Sequence, residues 1–161
     1  MKLLAGEAAT PGTYAKRTVG FVSNLDKTDA RMFTNLCAFG WQIGNIVPLV
    51  LNIQDEIYQN HEITFNILKH LDDIGLITFN SIAGFKRTEL PKNIVISYYG
   101  QPLGLEFPKD DHNDLNLGYV LLTKVGQELA PICGASRSDE FFQYVVEKWF
   151  GENLSPYSPL S

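Results

Sequence analysis

The stretch Thr64-Phe-Asn-Ile-Leu-Lys-His-Leu-Asp-Asp-Ile-Gly-Leu-Ile77 decides the fold, because its apolar spacing changes period within a few residues. Its apolar residues first recur every three or four positions, as on one face of a helix that runs from Thr64 to Ile74. The members of this buried stripe are Ile67, Leu68, Leu71 and Ile74. Gly75 then stops the helix, and Leu76–Asn80 alternates like a strand.

A second informative phrase, Leu121-Leu-Thr-Lys-Val-Gly-Gln-Glu-Leu129, reverses this order. A strand ends at Thr123, whose hydroxyl is suited to cap a helix. That helix would bury Val125, Leu129 and Ile132, and Pro131 must bend it or end it early. Between the two phrases the sequence predicts strands over Ile94–Tyr99, Leu103–Phe107 and Leu117–Leu122.

Helices are also predicted on both sides of this region. One begins at Thr13 and buries Tyr14, Phe21, Val22 and Leu25. The next begins near Asp26 or Thr28 and carries Ala30, Phe33, Leu36, Cys37 and Trp41. The last begins at Ser138, ends at Gly151, and buries Phe141 or Phe142 with Val145, Val146 and Trp149.

The segment between the second and third helices is less regular. Gly44 and Pro48 interrupt the apolar stretch from Ile43 to Ile53, which favours a short strand or an edge segment over a helix. Asp55–Asn60 then fits one helical turn before the helix at Thr64.

This order of helices, glycine stop, strands and capped helix resembles a winged-helix domain. We therefore predict an α+β, winged-helix-like domain with an enlarged β-wing at residues 28–151. A helical arm would precede it at residues 1–27, and a disordered tail would follow at 152–161. Residues 1–9 have the apolar stripe of a helix without a cap, as if cut from a longer protein.

Several phrases together resemble an uncharacterised, mainly proteobacterial family known only as a domain of unknown function. They are Leu4–Glu7, Pro11–Thr18, Leu25–Phe33, His70–Ile77 and Leu122–Ala130. The resemblance implies that this chain is either the carboxy-terminal region of a longer protein or a shortened relative. Because that family has no assigned activity, the resemblance implies no site residues.

The composition limits the classes of function. The 161 residues carry a net charge of −5, which disfavours strong overall attraction to nucleic acid or anionic lipid. No apolar run reaches the roughly 18 residues of a membrane span, so we expect a cytoplasmic protein without a membrane partner. We interpret Cys37 and Cys133 as small buried apolar side chains rather than as a disulfide framework.

A DNA-binding transcriptional regulator is the first alternative, because the third helix of winged-helix domains usually enters the major groove. Its outer face would present Asn66, Lys69, His70 and Asp73, of which Asn66 and Lys69 suit base contacts. Lys86, Arg87 and Lys92 on a predicted wing tip at 84–93 would contact a phosphate backbone or an acidic partner. Against this, residues 61–75 have a net charge of −2 when histidines are counted as neutral.

An enzyme or metal-binding protein is the second alternative, and the motifs disfavour it. The acidic run Asp110–Asp114 lacks the later glycine and acidic residue of a calcium loop. His61, His70 and His112 show no pairing at helical spacing. We therefore predict no catalytic residue, no metal site and no cofactor.

The aromatic residues favour an interaction module. The last helix carries more of them than one face can bury, and Phe142, Tyr144 and Phe150 are our candidate interface residues. The alternative is that both faces are buried within the chain. A homodimer through residues 13–25 and 138–150, or another protein partner, would use this surface. The predicted function is thus a non-enzymatic interaction or regulatory module.

Overall fold

The computed structural model describes residues 16–151 and 154–157, and it confirms the α+β class. The predictions for residues 1–9, for the break at Pro11-Gly12 and for Tyr14 lie outside the described residues. The α-helices are α1 (Lys16–Ser23), α2 (Lys27–Cys37), α3 (Glu56–Gln59), α4 (Phe65–Asp73), α5 (Lys124–Leu129) and α6 (Asp139–Phe150). A 3₁₀ helix, Ala130–Ile132, follows α5 directly.

The strands form one large sheet and two small ones in the described part of the chain. They are β1 (Gly40–Ile43), β2 (Asn45–Pro48), β3 (Ile77–Phe79), β4 (Phe85–Leu90), β5 (Asn93–Tyr98), β6 (Gln101–Glu106), β7 (Asn113–Gly118), β8 (Val120–Leu122) and β9 (Ser155–Tyr157). The large sheet has the antiparallel order β2-β1-β5-β6-β9. The pairs β3-β8 and β4-β7 are also antiparallel. Between β3 and β8, the chain first forms β4 and then the two strands β5 and β6 of the large sheet. It then forms β7, which pairs with β4, before it reaches β8.

Four of the predicted helix starts are confirmed by side-chain caps, and the start at Thr13 lies outside the described residues. Asp26 accepts a hydrogen bond from the Asp29 N–H at 2.8 Å, and Thr64 accepts from Ile67 at 3.3 Å. Thr123 and Ser138 cap α5 and α6 in the same way, at 3.2 and 3.1 Å. Each cap satisfies an amide that the first helical turn leaves without a partner.

One prediction for the segment after α2 is wrong. Trp41 lies in β1 rather than in the helix, because α2 ends at Cys37 and Trp41 pairs with Val47 across a hairpin. The stretch Ile43–Ile53, predicted as a short strand or an edge segment, contains β2 at the edge of the large sheet, and the hairpin turns at Gly44 with φ of +76°. The local apolar spacing predicted that the helix continues to Trp41. The pairing of β1 with β2 places Trp41 in a strand instead.

The region predicted as an enlarged wing also differs from its prediction. Residues 84–93 do not form a wing tip, because Phe85–Leu90 is the strand β4 and pairs with β7. The predicted strand Leu117–Leu122 is two strands, which meet at Gly118 and Tyr119. Within the predicted tail, Ser155–Tyr157 pairs with β6 as an edge strand.

Aromatic side chains from the large sheet and α6 form the centre of the core. Trp41, Tyr98, Phe141 and Trp149 are fully buried. The ring of Trp41 stacks on that of Tyr98 at 5.1 Å and meets that of Trp149 edge-on at 5.4 Å. Such contacts add to the free energy gained from burying large apolar surfaces.

The tyrosines at the end of the β5 hairpin bind the end of α2. The Tyr98 hydroxyl donates to the Ala38 carbonyl at 2.6 Å and accepts from the Ser138 N–H at 2.9 Å. The Tyr99 hydroxyl donates to the Cys37 carbonyl at 2.6 Å. Burial raises the pKa of Tyr98, so its hydroxyl remains protonated and able to donate. The carbonyls at the end of a helix have no hydrogen-bond donor within the helix, and here the two tyrosine hydroxyls are the donors.

The amino-terminal helix is attached to the rest of the structure. Thr18 is buried in α1, and its hydroxyl donates to the Glu128 carboxylate of α5. The division of the chain into an arm, a domain and a tail stays a prediction. No helix among the described residues combines the length and apolar character needed to cross a membrane.

The first testable prediction concerns Gly118, where β7 passes Val50. A β-carbon at Gly118 would lie 2.4 Å from the Val50 carbonyl oxygen, and the φ of Gly118 is +79°. Gly118→Ala should therefore lower the free energy of unfolding by about 3 kcal/mol or more in urea titration, from overpacking combined with left-handed strain. Gly100→Ala is the matched control. The φ of Gly100 is also left-handed, at +83°, but no atom lies within 4 Å of a β-carbon placed there. A similar loss in both variants would contradict the role of the close approach.

The second prediction concerns the hydroxyl of Tyr98. Tyr98→Phe leaves the Ala38 carbonyl and the Ser138 N–H without this partner, and should cost about 1–3 kcal/mol of unfolding free energy. Tyr99→Phe removes one bond from a side chain that is 41% exposed, where water can replace it. In thermal or urea unfolding, Tyr98→Phe should thus be clearly more destabilising than Tyr99→Phe. The reverse order would contradict the larger role of the Tyr98 hydroxyl.

Candidate functional site

The predicted contact residues on α4 are exposed. Leu68 and Leu71 face the core, which places Asn66 and Lys69 in solvent on the opposite side. Gly75 follows α4 and leads the chain into β3, as the sequence predicts. Helix α4 therefore presents a polar face that no other element covers at these two positions.

Helix α2 flanks α4 and pairs with its charged neighbours. Asp29 lies 2.7 Å from the imidazole of His70, and Arg31 lies 2.7 Å from the carboxylate of Glu62. Asp72 accepts a hydrogen bond from the Phe79 N–H at 2.8 Å. Two of the carboxylates that gave residues 61–75 their negative charge are thus engaged by partners.

The predicted cations lie on β4 and just after it, next to acidic residues of the β6–β7 loop and β7. Lys86 is 3.3 Å from Asp114, and Lys92 is 3.8 Å from Asp110. These pairs are exposed and therefore weak, but they offset the charge that a phosphate would meet. In the described part of the chain no hydrogen bond or ion pair joins these cations to α4.

Arg87 is directed toward the turn between β1 and β2. Its guanidinium packs so closely on Gly44 that a β-carbon there would lie 2.9 Å from an Arg87 nitrogen. The structure therefore does not bring Arg87 together with Asn66 and Lys69 through any contact among the described residues.

An apolar surface beside α4 was missed in the sequence. Phe65 is 49% exposed at the start of α4, and Ile82 is 94% exposed in the turn after β3. The ring of Phe65 meets that of Phe79 edge-on at 5.3 Å, which connects the helix to the strand that precedes this turn. The Asn80 carboxamide oxygen accepts from the Ile82 and Ala83 amides at 3.2 and 3.1 Å, so the turn is held in shape. We call Phe65 and Ile82, with Phe79 between them in the chain, the α4 apolar surface.

A sequence signal for this surface existed. Phe65 falls outside the stripe formed by Ile67, Leu68, Leu71 and Ile74, and Ile82 is a β-branched apolar residue between Ser81 and Ala83 in a turn. A large apolar side chain at either kind of position is either packed by a distant element or exposed to a partner.

The candidate interface residues of α6 make contacts within the chain. Phe142 stacks on Trp41 with ring centroids 5.6 Å apart, and Phe150 packs on the core while partly buried. The Tyr144 hydroxyl donates to Asp55 at 2.6 Å. These are the contacts that the intramolecular alternative predicts.

The histidines and the acidic run contact other groups of the protein. No group of three or more histidine, cysteine, aspartate or glutamate side chains among the described residues is arranged to hold a metal ion. In the acidic run, Asp110 and Asp114 face lysines, and His112 contacts Glu89. His61 bonds the Ile57 carbonyl at 2.9 Å.

A family model described as a protein of unknown function, DUF2806, matches residues 1–146. The chain belongs to this family. The predicted resemblance to a family of unknown function is thus confirmed. No curated protein and no solved structure matches the DUF2806 chain significantly.

The third prediction compares the effect on stability of substitutions on the α4 apolar surface and in the core. Ile82→Ser and Phe65→Ser should change the unfolding free energy of the DUF2806 chain by no more than about 0.5–1 kcal/mol, because both side chains are largely in solvent. Leu68→Ala on the same helix is the control and should cost about 2–5 kcal/mol, since Leu68 is fully buried. A large loss in Ile82→Ser would show that Ile82 supports the fold instead.

Proposed function

We propose that this DUF2806 chain is a non-enzymatic protein-interaction module with a winged-helix-like core, and that a partner protein docks on the α4 apolar surface. The observation that carries the proposal is the exposure of Ile82 at 94%, three residues after Phe79, whose ring contacts the half-exposed ring of Phe65 at the start of α4. Both side chains remain in water in the isolated chain, and their burial by a partner would be favourable by about 25 cal/mol per Å² of apolar area.

The order of elements supports the winged-helix-like core. α2, the segment at Val50, α3 and α4 precede β3, and β8 pairs with β3. The Tyr119 N–H donates to the Val50 carbonyl at 3.0 Å, and the Asn80 N–H donates to the Tyr119 carbonyl at 3.0 Å. Three chain segments thus lie side by side next to α3 and α4, as the small sheet of a winged helix does. The chain between β3 and β8 would then be an enlarged wing.

Charge supports a protein partner over DNA. Lys86 and Lys92 lie next to Asp114 and Asp110, and Arg87 packs on Gly44. A duplex requires cations that are available to replace its counterions, whereas the net charge of this chain is −5. An apolar docking surface with a polar rim suits a protein.

A DNA-binding regulator is the second candidate, and the exposure of Asn66 and Lys69 on α4 favours it. In that case α4 would enter the major groove, and Lys86, Arg87 and Lys92 would contact phosphates. The acidic partners of Lys86 and Lys92 would then have to release them.

Photo-crosslinking tests the protein partner. Benzoyl-phenylalanine in place of Ile82, in cells of the source organism, should give a discrete adduct with another protein on irradiation. Phe65→Ser in the same chain should reduce this adduct, because it removes part of the docking surface. The control is the same probe at Gln143, which is exposed on α6. Equal adducts at both positions, or none at position 82, would contradict the proposal.

The DNA candidate is tested by fluorescence anisotropy of mixed-sequence duplex DNA at low and moderate salt. We expect no binding at micromolar protein. Binding that weakens steeply with salt and is lost in Lys69→Ala with Arg87→Ala would instead make the regulator the better description.

A further inference from the structure

The two cysteines meet although they are far apart in the sequence. Cys37 is the last residue of α2, and Cys133 follows the 3₁₀ helix after α5. The Thr34 hydroxyl, one turn before Cys37 in α2, donates to the Cys133 carbonyl at 3.3 Å, so Cys133 lies against the end of that helix. The two thiols also affect each other's pKa. Cys37 is buried at 3% exposure, whereas Cys133 is only half-buried. The pair therefore consists of one half-buried thiol and one buried thiol.

The surroundings of Cys133 stabilise its thiolate. The largest contribution is the hydrogen bond from the Cys37 thiol, and one from the Ala135 N–H adds to it, whereas partial burial opposes both. These donors lower the pKa of Cys133 to about 6. Burial and the neighbouring sulfur raise the pKa of Cys37 well above its usual value. At neutral pH one sulfur is thus a nucleophile and the other a protonated thiol beside it.

The local structure allows both access and movement. A cavity of about 200 Å³ is lined by Cys37 and by Ala130, Pro131 and Ala135, which lie on either side of Cys133 in the chain. The chain from Cys133 to Arg137 has no regular secondary structure. Within it, Gly134 has a φ of +90°, and a β-carbon there would meet no atom within 4 Å. Cys133 therefore lies in an irregular connection rather than within a helix or a strand.

We propose that Cys133 and Cys37 form a hydroperoxide-sensitive dithiol, in which Cys133 is oxidised first and Cys37 resolves it into a disulfide. The Cys133 thiolate attacks the terminal peroxide oxygen and breaks the O–O bond, and protonation of the leaving oxygen gives water or an alcohol. The resulting sulfenic acid is then attacked by the sulfur of Cys37. An S–S bond forms, the S–O bond breaks, and the Cys37 proton leaves with the hydroxyl as water.

The disulfide would join the end of α2 to the connection between α5 and α6. It would close a long loop, so the oxidised chain should unfold at a higher urea concentration than the reduced chain. Apolar packing alone, which is how both cysteines were interpreted from the sequence, predicts no such difference.

Peroxide treatment with peptide mass spectrometry tests the proposal on the whole chain. Hydrogen peroxide at pH 7 should give the loss of two hydrogens per chain and a linked peptide pair that contains Cys37 and Cys133. In Cys37→Ala the sulfenic acid at Cys133 should persist and be trapped by dimedone. In Cys133→Ala the oxidation of Cys37 should be at least tenfold slower, because Cys37 is buried and protonated.

A pH profile on the unmodified chain supplies a test that requires no variant. Alkylation of Cys133 by iodoacetamide should rise with pH through a midpoint near 6, where the thiolate forms. The titratable groups that face the sulfur are the Cys37 thiol and the Tyr99 hydroxyl, and the Cys37 thiol has the larger effect, so the profile should shift upward in Cys37→Ala. A midpoint near the usual value of about 8.5, or peroxide oxidation without a Cys37–Cys133 link, would overturn the proposal.

Discussion

The hydroxyl of Tyr98 is the polar contact on which the arrangement of the other elements depends. It lies at the end of β5, donates to the carbonyl after α2 and accepts from the amide that begins α6. The same side chain stacks on Trp41, so one residue links two helices and the large sheet. A hydroxyl with one donor and two acceptor positions can satisfy both groups at once. The core and the helix ends are therefore fixed together.

The place of β5 and β6 in the large sheet also sets the course of the chain between β3 and β8. Because β5 and β6 belong to the large sheet, the chain between β3 and β8 folds back on the domain instead of extending from it. β4 and β7 are the connecting strands, and they bring Lys86 next to Asp114. The long insertion thus contributes to the core and to its own charge balance. Phe65 of α4 and Ile82 of the β3–β4 turn are among the large apolar side chains that stay exposed to water.

The parts of the fold that local chemistry controls could be predicted from the sequence, and those that depend on distant pairing could not. Caps at Thr64, Thr123 and Ser138 involve residues within three positions, so their signal is local. The strand β4 is almost entirely exposed and shows no alternation, and only its pairing with β7 defines it. For the site, the exposure of Asn66 and Lys69 followed from helical periodicity. The exposure of Phe65 required knowing that no distant element covers it.

The thiol pair shows how a distant contact changes the chemistry of a residue that appears ordinary in the sequence. Cys133 acquires its properties from Cys37, which the fold of α2 and the 3₁₀ helix brings to it. The carbonyl of Cys37 is also held by the Tyr99 hydroxyl, one residue before the carbonyl held by Tyr98. A bond from Cys37 to Cys133 would therefore act on the same helix end that the tyrosines fix. Oxidation at this position would be transmitted to the β5–β6 hairpin, because its tip is hydrogen-bonded to the residue that reacts.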